Sequence, residues 1–301
     1  MTSPTSSRPT LLVTGARGQI GREVAAAVAP HGKVVALDRN ALDLRDADAI
    51  ARVVRAVGPT IIVNAAAYTA VDRAESEADT AFTVNATGVG VLAEEARRAN
   101  AVLIHYSTDD VFDGKRSTPY DEDAPADPLN VYGKSKLAGE HAIGASGASA
   151  VILRTGWVYG LHGTNFLLTI RRLAAEREEL RIVADQTGTP NWARSIAEAT
   201  AALVARGAPD LAERKGLYHV SAAGSTTWFE FARAIVGDAK SPRVVPIRTS
   251  EYPSPARRPA YGVLSTECFA RTFGITLPDW RTLLQRCVTS PAEPVPATTV
   301  R

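Results

Sequence analysis

Cysteine is nearly absent. Cys268 and Cys287 are the two in 301 residues, and neither has a CxxC partner. That excludes a disulfide framework, offers no structural zinc site and points to a reducing compartment, the cytoplasm. Long apolar runs are missing too: no stretch approaches the ~20 residues needed to span a bilayer. Nor is one sign of charge in excess. Lys+Arg is 34 and Asp+Glu is 32, a net +2, so there is no general attraction to nucleic acid or to an anionic membrane surface. No internal repeat is visible. Residues 1–9 are polar and rich in Ser and Pro, with no apolar stretch of a secretory signal. What is present is a hydrophobic fraction of 45%, too high for a disordered chain. The length allows one large domain, or a main domain with a smaller companion.

Short continuous apolar runs alternate with helical patterns through the first half. Thr10–Val13, Val34–Leu37, Ile61–Val63, Ala101–His105 and Ala150–Arg154 read as strands. Ile20–Ala29, Ala47–Val57, Ala78–Asn100 and Leu129–Ile143 read as helices. Continuous apolar strands separated by helices predict an α/β fold, a doubly wound parallel sheet covered on both faces. Beyond Gly156 the alternation weakens, and Pro246–Tyr261 looks like a loop. The expected division is an arm at 1–9, a dinucleotide-binding domain at 10–155, mostly a smaller substrate-binding domain at 156–289, and a disordered tail at 290–301. The chain is free to cross back into the first domain.

Thr14-Gly15-Ala16-Arg17-Gly18-Gln19-Ile20-Gly21 lies between the first strand and the first helix. Gly15 permits a tight turn, Gly18 lets backbone approach a pyrophosphate, and Gly21 allows close helix–sheet packing. The helix N-terminus then faces phosphate. The spacing is G-x-x-G-x-x-G, and a plain turn cluster is the bland alternative. Its place after the first strand, with Asp38 ending the second, favours a dinucleotide. Asp38 suits the ribose hydroxyls of NADH. Arg17 and Arg39 suit the 2′-phosphate of NADPH, although Arg39 reads equally well as a solvated side chain. Both cofactors stay open. The alanines after Asn64 would let a cofactor lie against backbone.

Tyr132 and Lys136 are four residues apart, on one helix face. A free phenol has a pKa of about 10, and a neighbouring ammonium is expected to lower it, so that the phenol exchanges protons near neutrality. Such a pair is weak evidence alone. Ser107 and Thr108 follow the fourth long strand at its carboxyl end, where such sheets bind ligands. A hydroxyl there can donate to a carbonyl oxygen as its charge grows, or simply cap a turn. The order of glycine loop, ribose acid, strand-end hydroxyl and Tyr–Lys helix decides for a reaction centre.

The stretches TGARGQIG (14–21), IIVNAAAYTAVDRAE (61–75), VNATG (84–88), IHYSTDDVFDG (104–114), PLNVYGKSKLAGE (128–140), LRTGWVYG (153–160), IVADQTGTP (182–190) and RRPAYGVLST (257–266) give the chain its family likeness. It resembles the extended short-chain dehydrogenase/reductases and, within them, the dTDP-4-dehydrorhamnose reductase family, over nearly the whole chain between the two tails. The resemblance implies a Rossmann-type sheet and an NAD(P)H-dependent reduction of a 4-keto sugar nucleotide, the last step of dTDP-rhamnose synthesis. Tyr132 would be the general acid, Lys136 its partner and ribose anchor, and Thr108 the carbonyl-orienting hydroxyl. Gly18, Gln19 and Ile20 would meet the pyrophosphate and Asp38 the adenosine ribose. Asp43 and Leu44 would flank the adenine. Ala67, Tyr68, Thr69 and Tyr106 would line the dinucleotide. Asp109 and Trp157 would contact the sugar nucleotide. Apart from the resemblance, the loop arginines Arg257 and Arg258 are candidates to pair with an anionic pyrophosphate, and read equally well as a solvated basic loop.

The chain departs from the family pattern in places. Asp110 stands where an aromatic residue is usual, Asn191-Trp192 follow Pro190 in place of Thr-Tyr, Ser195 replaces an acid and Gly262 a serine. Asp110 and Asn191-Trp192 keep open a 4-ketoreductase for another deoxysugar. A non-catalytic NADP-binding regulatory relative is the other alternative, against which the intact Thr108, Tyr132 and Lys136 argue. Some relatives form a metal-bridged homodimer. No ligand cluster here justifies carrying the metal over, and the homodimer stays open.

Overall fold

The computed structural model describes residues 8–237 and 241–290, so the expected arm before Arg8 and the tail after Ser290 lie outside the described residues. Five strands and a late sixth form one parallel sheet. They are β1 (Thr10–Thr14), β2 (Lys33–Leu37), β3 (Ile61–Asn64), β4 (Val102–Thr108) and β5 (Ala150–Thr155), joined by the strand Gly216–His219. From one edge the order is Gly216–His219, β5, β4, β3, β1, β2. The direction of winding reverses at β1, which has β2 on one side and β3 on the other. A ligand crevice opens at the carboxyl ends of the strands flanking such a reversal.

The continuous apolar runs serve two cores because successive side chains point to opposite faces. Leu11, Val13, Ile61, Val63, Val102 and Ile104 face one core; Leu12, Ile62 and Leu103 face the other. The helix α1 (Gln19–Ala27) and the helix Ala193–Ala205 cover the first face. The second is covered by α2 (Ala47–Val57) and the helix Gly88–Arg98, through Ile50, Val54, Val89 and Leu92. The later chain therefore contributes a helix, a strand and Phe269 to the sheet's own core. A separate aromatic cluster gathers Tyr159, Leu167, Trp192, Phe231 and Trp280. Beside it the strands Glu179–Val183 and Arg243–Ile247 pair in parallel. The second of these lies partly in the segment expected to be loop.

The expected long helix from Ala78 is interrupted. A π-helical stretch, Thr83–Thr87, lies between Ala78–Phe82 and Gly88–Arg98. Asn85 sits in it and pairs with both backbone groups of Tyr68, accepting from the N–H and donating to the carbonyl. It also donates to the Ser135 hydroxyl at 2.9 Å. These bonds place the bulge against the cofactor-side loop, as π-bulges often do at sites.

His219, on the last sheet strand, is fully buried; its Nδ1 lies 3.1 Å from the Tyr120 carbonyl and its Nε2 has no partner. Burial and the nearby Arg154 charge hold its pKa down at about 4. A depressed histidine stabilises the fold above its unfolded pKa, and the contribution is lost as pH falls. Between pH 7 and pH 4.5 this group should remove roughly 2–3 kcal/mol of unfolding free energy. Urea titrations at both pH values should show a smaller acid loss in His219→Gln. Equal losses in the two proteins would count against it.

Candidate active site

The glycine loop is shaped by its own backbone. Gly15 has φ +68°, and a Cβ there would meet the Ala66 amide at 2.6 Å. A Cβ on Gly21 would lie 2.2 Å from the Gly15 carbonyl oxygen, so only glycine lets α1 start this close. Gly18 is the N-cap and lends no side-chain cap. The first amides of α1 are thus left for a ligand.

Two connected hollows run across the strand ends. The smaller, about 210 Å³, is lined by Gly15, Gly18, Asp38, Arg39, Asp43, Leu44, Ala67 and Tyr68. The larger, about 600 Å³, is lined by Gly18, Gln19, Ile20, Ala67, Thr69, Tyr106, Thr108, Asp109, Tyr132, Lys136 and Trp157. Arg17, Gly18, Ala65 and Ala67 border both. Nearly every residue singled out in the sequence lies on this one groove. Gly21 stands behind it, as close packing requires. Arg257 does not reach it: its side chain is exposed, and its carbonyl accepts from Asn130. The cleft is lined by Arg258 instead, which is clamped by the Asp72 carboxylate at 3.0 and 2.9 Å.

In the smaller hollow the charges are already paired. Asp38 accepts from the amides of Asn40 and Ala41 and pairs with Arg17 at 2.9 Å. Asp43 is held by Arg45, which brings its pKa to about 2, with Arg39 3.6 Å away. Tyr68 donates its hydroxyl to Glu77. Gln19 accepts from Asn165, the N-cap of the helix Phe166–Glu176, so the loop is tied to the later half of the chain.

At the candidate reaction centre, Tyr132 sits in the first turn of the helix Val131–Ser146, capped by Asn130. Thr108 ends β4. It caps the short turn after it by accepting from the Asp110 amide, and its hydroxyl also donates to Asp109. Capping and lining the cleft therefore coexist. The Asp109 carboxyl is buried because two glycines make room: a Cβ on Gly156 would lie 2.2 Å from it and one on Gly262 3.0 Å. Burial and the neighbouring Asp110 push its pKa up.

The expected acidification of the phenol by Lys136 is not what the side chains do. Burial raises the Tyr132 pKa, Asp110 and Asp109 add to the rise, and the Thr108 hydroxyl opposes it. The Lys136 Nζ is turned inward, donating to the Tyr106 carbonyl at 2.6 Å and lying 3.2 Å from His105 Nε2. Burial lowers its pKa to about 8, with Glu140 opposing. Strand β4 supplies the hydrogen-bond partners that a buried nitrogen must find, while Lys136 still lines the cleft. Tyr106 is engaged similarly, its phenol against Thr200.

Trp157 has φ +47° and stacks on Trp228, ring centroids 3.5 Å apart and planes 7° apart. A Cβ on Gly188 would come within 2.4 Å of the indole. Trp228 opens an amphipathic helical stretch, and no motif in the sequence marks it as a site residue. Gln186, Thr187 and Thr155 also line the cleft; they lie in the family-like stretches 182–190 and 153–160, but no residue-level chemistry there points to them.

A family model described as RmlD substrate binding domain matches residues 9–292. The chain belongs to that family. A dTDP-4-dehydrorhamnose reductase of Burkholderia thailandensis is 49% identical over 290 residues, 92% of this chain and 97% of the relative. One from Escherichia coli K12 is 43% identical over 289 residues, 92% and 96% of the two chains. The crystal structure of dTDP-4-dehydrorhamnose reductase from Bacillus anthracis in complex with NADP superimposes with a TM-score of 0.87 at 36% identity, covering 93% of this chain and 99% of that one. Family membership agrees with the mixed α/β fold and the parallel central sheet. Among the described residues there is no group of three or more potential metal ligands and no helix long and apolar enough to cross a membrane.

Proposed function

We propose that the protein reduces dTDP-4-dehydro-β-L-rhamnose to dTDP-L-rhamnose with NADPH or NADH. One observation carries the reading: Thr108, Tyr132 and Lys136 meet in a single cleft that continues into the glycine-loop hollow. The residues fit a dinucleotide. At Gly15 a Cβ would collide with the Ala65–Ala66 backbone that borders the hollow, so the turn keeps this shape only with glycine, and the buried hydroxyl of the cleft-lining Thr155 has no hydrogen-bond partner. Gly18, Gln19 and Ile20 would hold the pyrophosphate, Asp38 and Arg39 the adenosine ribose, and Lys136 the nicotinamide ribose. When bound, the reduced nicotinamide supplies hydride. Thr108 orients the C4 carbonyl oxygen, and Tyr132 gives that oxygen its proton. A raised phenol pKa suits a donor, because it keeps the proton in place and the alkoxide receiving it is the stronger base. Asp109, Trp157 and Arg258 face the sugar nucleotide. The free thiols of Cys268 and Cys287 support a reducing, cytoplasmic setting.

The test is incubation with dTDP-4-keto-6-deoxyhexoses and each dinucleotide, with products identified by NMR. From dTDP-4-dehydro-β-L-rhamnose, dTDP-L-rhamnose is expected; the opposite C4 configuration, or turnover only of a substrate with the other C5 configuration, would reassign the enzyme to another deoxysugar. The aromatic stack gives a second test. Gly188→Ala pushes a methyl into the Trp157 indole and should raise the KM for the sugar nucleotide about tenfold, or about 1.4 kcal/mol. The KM for the dinucleotide should not move. A parallel rise in both would place the stack outside the sugar site.

A further inference from the structure

We propose that His105 is a positioning residue for Lys136: its tautomer, locked by Asn64, makes its ring N–H donate to the lysine nitrogen and so holds Lys136 as a neutral amine while the two are in contact. The argument starts at the end of β3. One end of the Asn64 amide faces the Ala66 backbone N–H at 3.2 Å and the Thr14 hydroxyl at 2.6 Å. A backbone N–H only donates, so this end is the oxygen. The other end is therefore the NH₂, and it lies 2.9 Å from His105 Nδ1. An amide NH₂ also only donates, so Nδ1 accepts. His105 is fully buried, which holds it neutral. A neutral imidazole with an accepting Nδ1 carries its proton on Nε2.

That N–H points at Lys136 Nζ, 3.2 Å away. It needs a lone pair there, and an ammonium has none. A neutral amine has one, and still has hydrogens for the Tyr106 carbonyl. The lowered pKa of the buried lysine agrees in direction. The other titratable groups around it are Tyr132 one helical turn back, Glu140 one turn on, and Asp109 and Asp110 across the cleft. Glu140 favours a charged lysine but is already committed to Arg154 and Ser107. Charging Lys136 therefore requires that it leave His105, or that the ring turn and strand the Asn64 NH₂. The lysine's charge and its position are coupled.

The test is ¹⁵N NMR of imidazole-labelled full-length protein, with the His105 signal among five histidines identified by its loss in His105→Gln. The Nε2–H tautomer is expected in the wild type. In Asn64→Asp the carboxylate accepts from Nδ1–H, which frees Nε2 to accept from an ammonium, so the tautomer should invert. The inflection of kcat/KM against pH that belongs to Lys136 should then rise by about one pH unit or more. An Nδ1–H tautomer in the wild type overturns the proposal, as does an inverted tautomer with an unmoved inflection. The kinetic arm rests on the reductase reading; the tautomer does not. A wild-type protein that reduces no sugar nucleotide would sink that reading alone. Should Asn64→Asp fail to fold, the wild-type tautomer decides.

Discussion

Replacing Tyr132 by phenylalanine should lower kcat for 4-keto sugar nucleotide reduction by roughly 10²–10⁴-fold, the usual worth of a positioned acid. The change removes one oxygen and keeps the ring, so the helix start capped by Asn130 should persist. Dinucleotide affinity, followed by fluorescence quenching, should stay within about twofold, because removing the phenol oxygen leaves the glycine-loop backbone and the Asp38 hollow intact. Loss of turnover with retained binding is the signature of a group used mainly in the transition state. Turnover at the wild-type rate would remove Tyr132 from the reaction, and the assignment with it. No neighbouring group replaces it easily. The Thr108 hydroxyl is an aliphatic alcohol, a far weaker acid than a phenol, and the Lys136 nitrogen donates to the Tyr106 carbonyl.

Arg154→Met should be the most damaging single change to stability. Arg154 and Glu140 form a buried, bidentate pair at 2.8 and 2.6 Å, with side chains 4% and 7% exposed. Ser107 donates to the same carboxylate, and the guanidinium lies over the Phe112 ring at 5.1 Å. The pair fastens the Tyr–Lys helix to β5. Removing only the arginine leaves a buried carboxylate unpaired, at a cost of about 3–5 kcal/mol. Thermal unfolding should fall by roughly 10 °C for a chain of this size. The double variant Arg154→Met with Glu140→Leu should recover most of that, since an apolar pair of similar volume removes the uncompensated charge. A double variant no more stable than Arg154→Met would show that packing, not charge, sets the cost. Lys136 lies one turn from Glu140, so the reaction centre should be loosened along with the fold.

Much of this was legible in the residues. The strands were visible because buried parallel strands are apolar on both faces, and the glycine loop because turn geometry constrains residue type locally. Thr108, Tyr132 and Lys136 were recognisable as a set by their order along such a sheet. Arg257 illustrates the limit: two adjacent arginines on a Pro-rich loop are equivalent in one dimension, and Asp72, nearly two hundred residues earlier, selects Arg258 for the cleft. Trp228 shows the same limit, because its partner Trp157 is far away in the chain.

Local chemistry thus determined the alternation of elements, the glycine-rich turn and the candidate reacting side chains, all properties of short segments. Tertiary structure alone decided their protonation. Tyr132 became harder to ionise because acids and apolar walls surround it, and Lys136 turned to His105 and Tyr106 instead of the phenol. Spacing along a helix says which groups share a face; desolvation and the hydrogen-bond partners supplied by other strands say what charge those groups carry.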